Sequence, residues 1–173
     1  QVTTDPNRIV IAVNKSNYTH DMVKETGRFT VSILSEEAKF DLFQRFGFQS
    51  GRDVDKFAGF EAHTARDKDG ICYVTQGTNA WLSCKVVSAT DLGTHTLFLA
   101  DVLDGGVLSK ASSATYAYYQ ANIKPKPGAA AAPSEKKRWV CKVCGYVYEG
   151  DELPADYICP WCKHPASDFE LLA

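Results

Sequence analysis

The chain has no apolar run of the roughly 20 residues that a membrane-spanning helix needs, and no pattern of a secretory signal. No membrane-spanning helix is expected within it, and no membrane partner. A G-x-G-x-x-G turn is also missing, so the sequence does not encode a strand-turn-helix dinucleotide cradle. Neither sign of charge is in excess: 19 Lys and Arg stand against 21 Asp and Glu, for a net charge of −2. Without a basic groove interleaved with aromatics, an oligonucleotide-binding barrel has no electrostatic footprint, and no nucleic acid is expected. The chain opens at Gln1 rather than methionine, so a segment ahead of it is expected.

Cysteine, by contrast, occurs six times, and four of the six form two C-x-x-C pairs, Cys141/Cys144 and Cys159/Cys162, separated by 14 residues. A two-residue gap lets a turn present both sulfurs to one ion, and two such turns make a tetrahedral thiolate cage. Thiolates are soft ligands, so the cage selects zinc, as a structural staple, or iron, as a redox centre. Ligation requires reduced thiols, which places the chain in a reducing, cytoplasmic compartment rather than among disulfide-stapled secreted proteins. Gly145, directly after Cys144, allows close backbone approach to the sulfurs. Cys72 and Cys84 lack metal spacing and are expected to be small buried hydrophobes on strands.

The aromatic set around the cage is dense: Trp139, Tyr146, Tyr148, Tyr157, Trp161 and Phe169 within 36 residues. The run from Trp139 through Cys144-Gly-Tyr-Val-Tyr-Glu-Gly-Asp-Glu-Leu-Pro154, followed by Cys159-Pro-Trp-Cys-Lys-His-Pro165, resembles the rubredoxin family, in the short-gapped form that ends rubrerythrins. Lys163 stands where that family commonly has glycine. The resemblance implies one iron on Cys141, Cys144, Cys159 and Cys162. A zinc ribbon serving as an interaction module is the alternative.

A module of 36 residues cannot bury an adequate core, so metal must contribute to its folding. Ahead of it, residues 124–137 are biased to Pro, Ala, Gly and Lys and read as a flexible linker between a domain at 1–123 and one at 138–173. Fourteen residues span about 20 Å as a coil and about 43 Å as polyproline II. Charge is partitioned as 12 basic and 14 acidic residues in 1–123, 4 and 1 in the linker, and 3 and 6 in the tail. An acidic tail favours basic docking surfaces.

Residues 1–123 read as mainly β with two short helices. Arg8–Val13, Phe29–Leu34, Trp81–Val87 and Thr94–Leu103 are β-rich runs, and Asp69-Gly70 marks a hairpin turn. A mainly antiparallel barrel follows. Thr19 is expected to cap a first helix that Gly27 stops, with Tyr18 stapled on Val23. A second helix is expected over Ser35–Gly47, with Phe40, Phe43 and Phe46 as a core stripe. Lys15, Ser16, Asn17 and Thr19 gather a cation, hydroxyls and an amide at the positive end of the first helix, which suits a phosphate.

The runs Gln1-Val-Thr-Thr-Asp-Pro6, Ala12-Val-Asn-Lys-Ser-Asn-Tyr-Thr-His-Asp21, Gly27-Arg-Phe-Thr-Val-Ser-Ile-Leu-Ser35, Phe46-Gly-Phe-Gln-Ser-Gly-Arg-Asp-Val-Asp-Lys-Phe57 and Asp91-Leu-Gly-Thr-His-Thr-Leu-Phe98 resemble the FMN-binding split β-barrel family of flavin reductases and flavoredoxins. The resemblance implies that Thr3 and the turn Asn14, Lys15, Ser16, Asn17 and Thr19 hold the FMN phosphate and ribityl chain. Ser50, Gly51, Arg52 and Lys56 would approach the cofactor, and His95 would meet the flavin or its substrate. A histidine satisfied by strand neighbours is the plain alternative for His95. A further strand ahead of Gln1 and a homodimer with FMN near its interface are also implied.

Together the modules resemble the high-molecular-weight rubredoxins, flavin reductase–rubredoxin fusions of anaerobic bacteria. Implied are electron transfer from NAD(P)H through FMN to iron, and a flavodiiron protein as terminal partner.

Overall fold

The computed structural model describes residues 1–125, 137–143, 145–160 and 164–172. The expected linker therefore lies largely outside the described residues, as do Cys144, Trp161, Cys162 and Lys163. The described chain forms two compact units, one of Gln1–Ala38 with Ser50–Thr115, the other of Lys39–Gln49 with Tyr116–Ala173.

The first unit is built on a five-stranded antiparallel sheet. Its strands are β1 (Thr3–Thr4), β2 (Asn7–Asn14), β3 (Arg28–Leu34), β6 (Thr78–Asp91) and β7 (His95–Val107), in the order β1-β2-β7-β6-β3. Helix α1 (Tyr18–Thr26) follows β2, and the hairpin β4 (Thr64–Arg66) and β5 (Cys72–Val74) is inserted between β3 and β6. Period-two alternation sets the core. Ile9, Ile11 and Val13 of β2 turn inward with Phe98 and Ala100 of β7 and Leu82, Cys84 and Val86 of β6, and Val23 of α1 joins the same cluster. Bulges at Ser83/Cys84 and between Val86 and Ser88 bend β6. The Thr30 hydroxyl donates to the Cys72 carbonyl at 2.6 Å, and the Val74 N–H to Ser32 Oγ at 2.9 Å. The small hairpin is thereby fastened to β3. This is a split β-barrel, mainly β as expected.

The expected strands form, with β6 and β7 longer than the runs that announced them. Asp69-Gly70 turns the hairpin, with Gly70 at φ +83°. Gly27 stops α1 at φ 64°, its N–H on the Val23 carbonyl. The start of α1 differs from expectation: Asn17 holds the extended cap position, and Thr19 lies inside the first turn. Asn14 Oδ1 accepts both the N–H and the hydroxyl of Ser16 at 2.9 Å, so the turn closes earlier than Thr19.

The second helix, α2 (Phe40–Gly47), starts five residues later than expected. Ser35 is fully buried, bridges to Ser113 and donates its N–H to the Gly77 carbonyl, so it belongs to the sheet margin. Leu42 is the buried residue of α2, while Phe40, Phe43 and Phe46 are half-buried. The helix belongs to the second unit. There a short helix α3 (Tyr116–Tyr118) continues as a π-helical turn to Ile123. The strands β8 (Lys137–Cys141), β9 (Val147–Gly150) and β10 (Phe169–Leu172) pair antiparallel in the order β10-β8-β9.

Candidate functional site

The first site gathers at the N-terminus of α1. No side chain caps this helix, and Ser16, Asn17, Tyr18 and Thr19 are exposed. Exposed N–H groups and the positive end of the helix dipole are what a phosphate requires. The Asn14-Lys15 turn is pinned to the β6–β7 hairpin, where Asn14 pairs with His95 and the Lys15 N–H donates to the Thr94 carbonyl at 3.0 Å. Lys15 Nζ lies 2.7 Å from both carboxylate oxygens of Asp91. The Lys15 hydrogen bond, aided by the Gly93 N–H, holds the Asp91 carboxyl below the usual range. His95 is half-buried, its Nδ1 2.9 Å from the Thr94 hydroxyl.

The other side of α1 meets the loop from Ser50 to Lys56. Ser50 Oγ accepts the Arg52 N–H at 3.1 Å and shapes that loop. The Arg52 guanidinium sits 4.7 Å from the Tyr18 ring centroid and pairs with Asp21. The second oxygen of Asp21 meets His20 Nδ1 at 3.0 Å, and His20 Nε2 meets the buried Thr96 hydroxyl at 2.9 Å. These contacts, that to His20 first and then that to Arg52, hold the Asp21 carboxyl below its ordinary value. Gly51 lies close to both Tyr18 and Lys56: a Cβ there would stand 3.2 Å from Tyr18 Cδ1 and 3.9 Å from Lys56 Cε. Burial lowers the Lys56 ammonium pKa.

Ten of the expected cofactor and substrate residues thus surround one helix terminus: Asn14, Lys15, Ser16, Asn17, Thr19, Ser50, Gly51, Arg52, Lys56 and His95. Thr3 does not join them within one chain. It pairs with Arg8, at the far end of β2 from Asn14, about 20 Å away at strand rise. Its hydroxyl donates to the Pro6 carbonyl at 2.5 Å. Asp91, Asp21, His20 and Tyr18 were not singled out by sequence as site residues. The Asp91-Leu-Gly93 turn and the His20-Asp21 pair were visible, but partners 76 residues apart have no local signal.

The second site lies in the C-terminal unit. Cys141 ends β8, and its N–H donates to the carbonyl five residues on, at Tyr146, at 2.8 Å. Cys159 repeats the ring, donating to the His164 carbonyl at 2.8 Å. The Gly145 N–H donates to the Cys141 carbonyl, and its φ of +82° lets the first knuckle turn back. Cys141 is 1% exposed and Cys159 0%. They pack with Phe169 among Trp139, Tyr146, Tyr148, Leu153 and Tyr157. Tyr157 donates to the Tyr146 hydroxyl at 3.3 Å, and burial pushes its phenol pKa upward. A thiolate so desolvated requires a cation beside it, and an aromatic, water-poor shell suits a soft metal held by sulfur. The described donors therefore fit the expected metal, with Cys144 and Cys162 outside the described residues. Cys72 is half-buried and Cys84 fully buried, and burial pushes the Cys84 thiol up to about 11, which leaves it an unreactive core residue.

A split barrel followed by a thiolate-lined metal module defines a flavin-linked oxidoreductase with a rubredoxin-like domain. Family models agree: a flavin reductase like domain matches residues 1–126, and a rubrerythrin, rubredoxin-like domain matches residues 139–170. A high molecular weight rubredoxin of Moorella thermoacetica is 32% identical over 98% of this chain and 85% of its own. The chain belongs to the flavin reductase-like family, in its rubredoxin-fused, high-molecular-weight rubredoxin form. A ferric-chelate reductase (NAD(P)H) of Archaeoglobus fulgidus is 42% identical over 73% of either chain. Among solved structures, an FMN-binding protein from Thermus thermophilus superposes with a TM-score of 0.55 at 23% identity, covering 62% of this chain and 57% of its own. It shares the fold.

Proposed function

We propose that this protein takes electrons from NAD(P)H onto one FMN per barrel and passes them singly to one iron held by Cys141, Cys144, Cys159 and Cys162. A redox protein such as a flavodiiron oxygen or nitric oxide reductase then receives them. The observation that carries this reading is the coexistence in one chain of an uncapped, exposed helix terminus in a flavin reductase barrel and two buried cysteines, Cys141 and Cys159, each donating to the carbonyl five positions on. FMN, when bound, exchanges electrons both in pairs with a nicotinamide and singly with a one-electron centre. The N–H groups at the start of α1 attract its phosphate, aided by Lys15. Asn14 and Ser16 fix the turn that presents those groups. Arg52, braced on Tyr18 and Asp21, offers a cation from the opposite side. His95, its Nδ1 tied to Thr94, would meet a substrate through Nε2. Cys141 and Cys159, buried against Phe169, would hold their sulfurs away from water on the protein side of the metal. The name of the Archaeoglobus fulgidus relative supports NAD(P)H as donor. Pairing of two copies and a cytoplasmic setting belong to the same proposal.

The test is rapid mixing of FMN- and iron-loaded protein with NADH or NADPH. The flavin band is expected to bleach first and the iron band after it, at a rate independent of protein concentration. A single bound zinc in protein made under iron-replete, anaerobic conditions overturns the redox role of the tail and leaves an interaction module on a flavin reductase.

A further inference from the structure

We propose that the segments Lys39–Gln49 and Tyr116–Lys124 form a docking seat for this chain's own metal module, with Phe48 and Lys124 as its two anchors. Phe48 packs against the cluster of Cys141, Cys159 and Phe169. It lies beside Phe40, ring centroids 5.8 Å apart. Lys124 Nζ donates to the Val143 carbonyl at 3.1 Å, inside the first knuckle and between its two cysteines in sequence. A Cβ on Gly145 would stand 3.4 Å from Lys124 Cε and 3.6 Å from the Pro125 carbonyl oxygen. Phe43 and Tyr119, with ring centroids 4.6 Å apart, join the two segments of the seat to each other.

The seat has an unusual origin. Lys39–Gln49 is inserted between β3 and β4, and Tyr116–Lys124 follows β7, so both segments belong to the stretch that matches the flavin reductase model. Yet both group with the metal module rather than with the barrel strands. The anchors are complementary in chemistry. Phe48 contributes apolar area to the cluster of Cys141, Cys159 and Phe169, and the Lys124 ammonium, held at the Val143 carbonyl, would offset a metal site whose four thiolates outnumber the metal's charge. The flavin-binding part of the sequence therefore carries a surface for the module, which works seated rather than only as a swinging tether. Lys124 is a positioning residue that also biases the metal electrostatically. The electron-transfer consequence rests on the proposed function; the seat itself does not.

The deciding experiment uses full-length, FMN- and metal-loaded protein with a specific protease site placed within residues 126–136. After cleavage the two pieces of the wild-type sequence are expected to elute together in size exclusion, with metal colour following flavin colour. Phe48→Ala, retaining its metal colour, is expected to release the module at a concentration at least tenfold higher. If Phe48→Ala loses its metal, Phe48→Leu and Lys124→Gln carry the same comparison. Lys124→Gln also has a readout that packing alone would not move: the iron reduction potential should fall, by up to 59 mV for a tenfold change in the one-electron equilibrium. Cleaved wild-type pieces that separate as completely as the Phe48 variants overturn the seat. A module that stays bound but takes no electrons from flavin leaves the seat standing and sinks the electron path instead.

Discussion

Lys15 meets both oxygens of Asp91 at 2.7 Å, so a phosphate arriving at α1 finds its cation already engaged. The carboxylate both orients Lys15 and competes for it. Removing the competitor without removing the lysine should therefore favour the phosphate. Asp91→Asn is expected to raise the ratio of FMN to riboflavin affinity several-fold, and Lys15→Ala to lower it toward one. Titration by flavin fluorescence quenching at low and at moderate salt checks this, with the effect shrinking as salt screens the exposed pair. A ratio that neither substitution moves would place the phosphate elsewhere.

Among the elements, the β4–β5 hairpin depends on one buried carboxylate. Asp67 Oδ1 accepts the N–H groups of Asp69 at 3.0 Å and Ile71 at 2.8 Å, and Oδ2 accepts the Ser83 hydroxyl at 2.6 Å. Burial raises the Asp67 pKa, but the Ser83 hydroxyl and these N–H groups outweigh it and hold the carboxyl below its ordinary value. A depressed folded pKa means that the stabilisation is complete above the unfolded value of 3.8 and is lost as pH falls through the lower folded value. Asp67→Ala should cost about 2–3 kcal/mol at neutral pH, because it leaves buried donors unpaired. In urea unfolding followed against pH, the gap between wild type and variant should narrow below the ordinary carboxyl value. A gap unchanged into strong acid would show that the charge of Asp67 contributes nothing.

The molecule as a whole divides its stability between an apolar core in the barrel and a metal-dependent core around Cys141, Cys159 and Phe169. The second core is small, and without metal its cysteines would be buried for little return. Cys141→Ser is expected to abolish the iron colour and to loosen β8–β10 together with α2, whose neighbour Phe48 loses its cover. The barrel should keep its FMN affinity. Hydrogen exchange resolved by segment, with FMN titration alongside, separates the two units. Loss of FMN binding in parallel with the metal would show that the units fold as one. No helix among the described residues is long and apolar enough to cross a membrane.

The chemistry of the metal module was legible in sequence because C-x-x-C spacing is a local property, and Cys141 and Cys159 each donate to a carbonyl only five positions on. The barrel strands were legible because a half-buried strand alternates, as Ile9, Ile11 and Val13 do. Gly27 and Gly70 marked turns that only a positive φ permits. Tertiary structure alone decided the rest. Ser35 looked like the start of a helix, but an isolated bridge to Ser113 holds it at the sheet margin. Asp91 was legible only as the start of a turn until folding laid it against Lys15, 76 positions away. Phe48, just past the stripe of Phe40, Phe43 and Phe46, gave no hint that it would pack on cysteines more than ninety residues downstream. Periodicity and spacing report what a residue does with its near neighbours. Which distant group it meets depends on how two separately formed surfaces fit, and that fit has no signature along the chain.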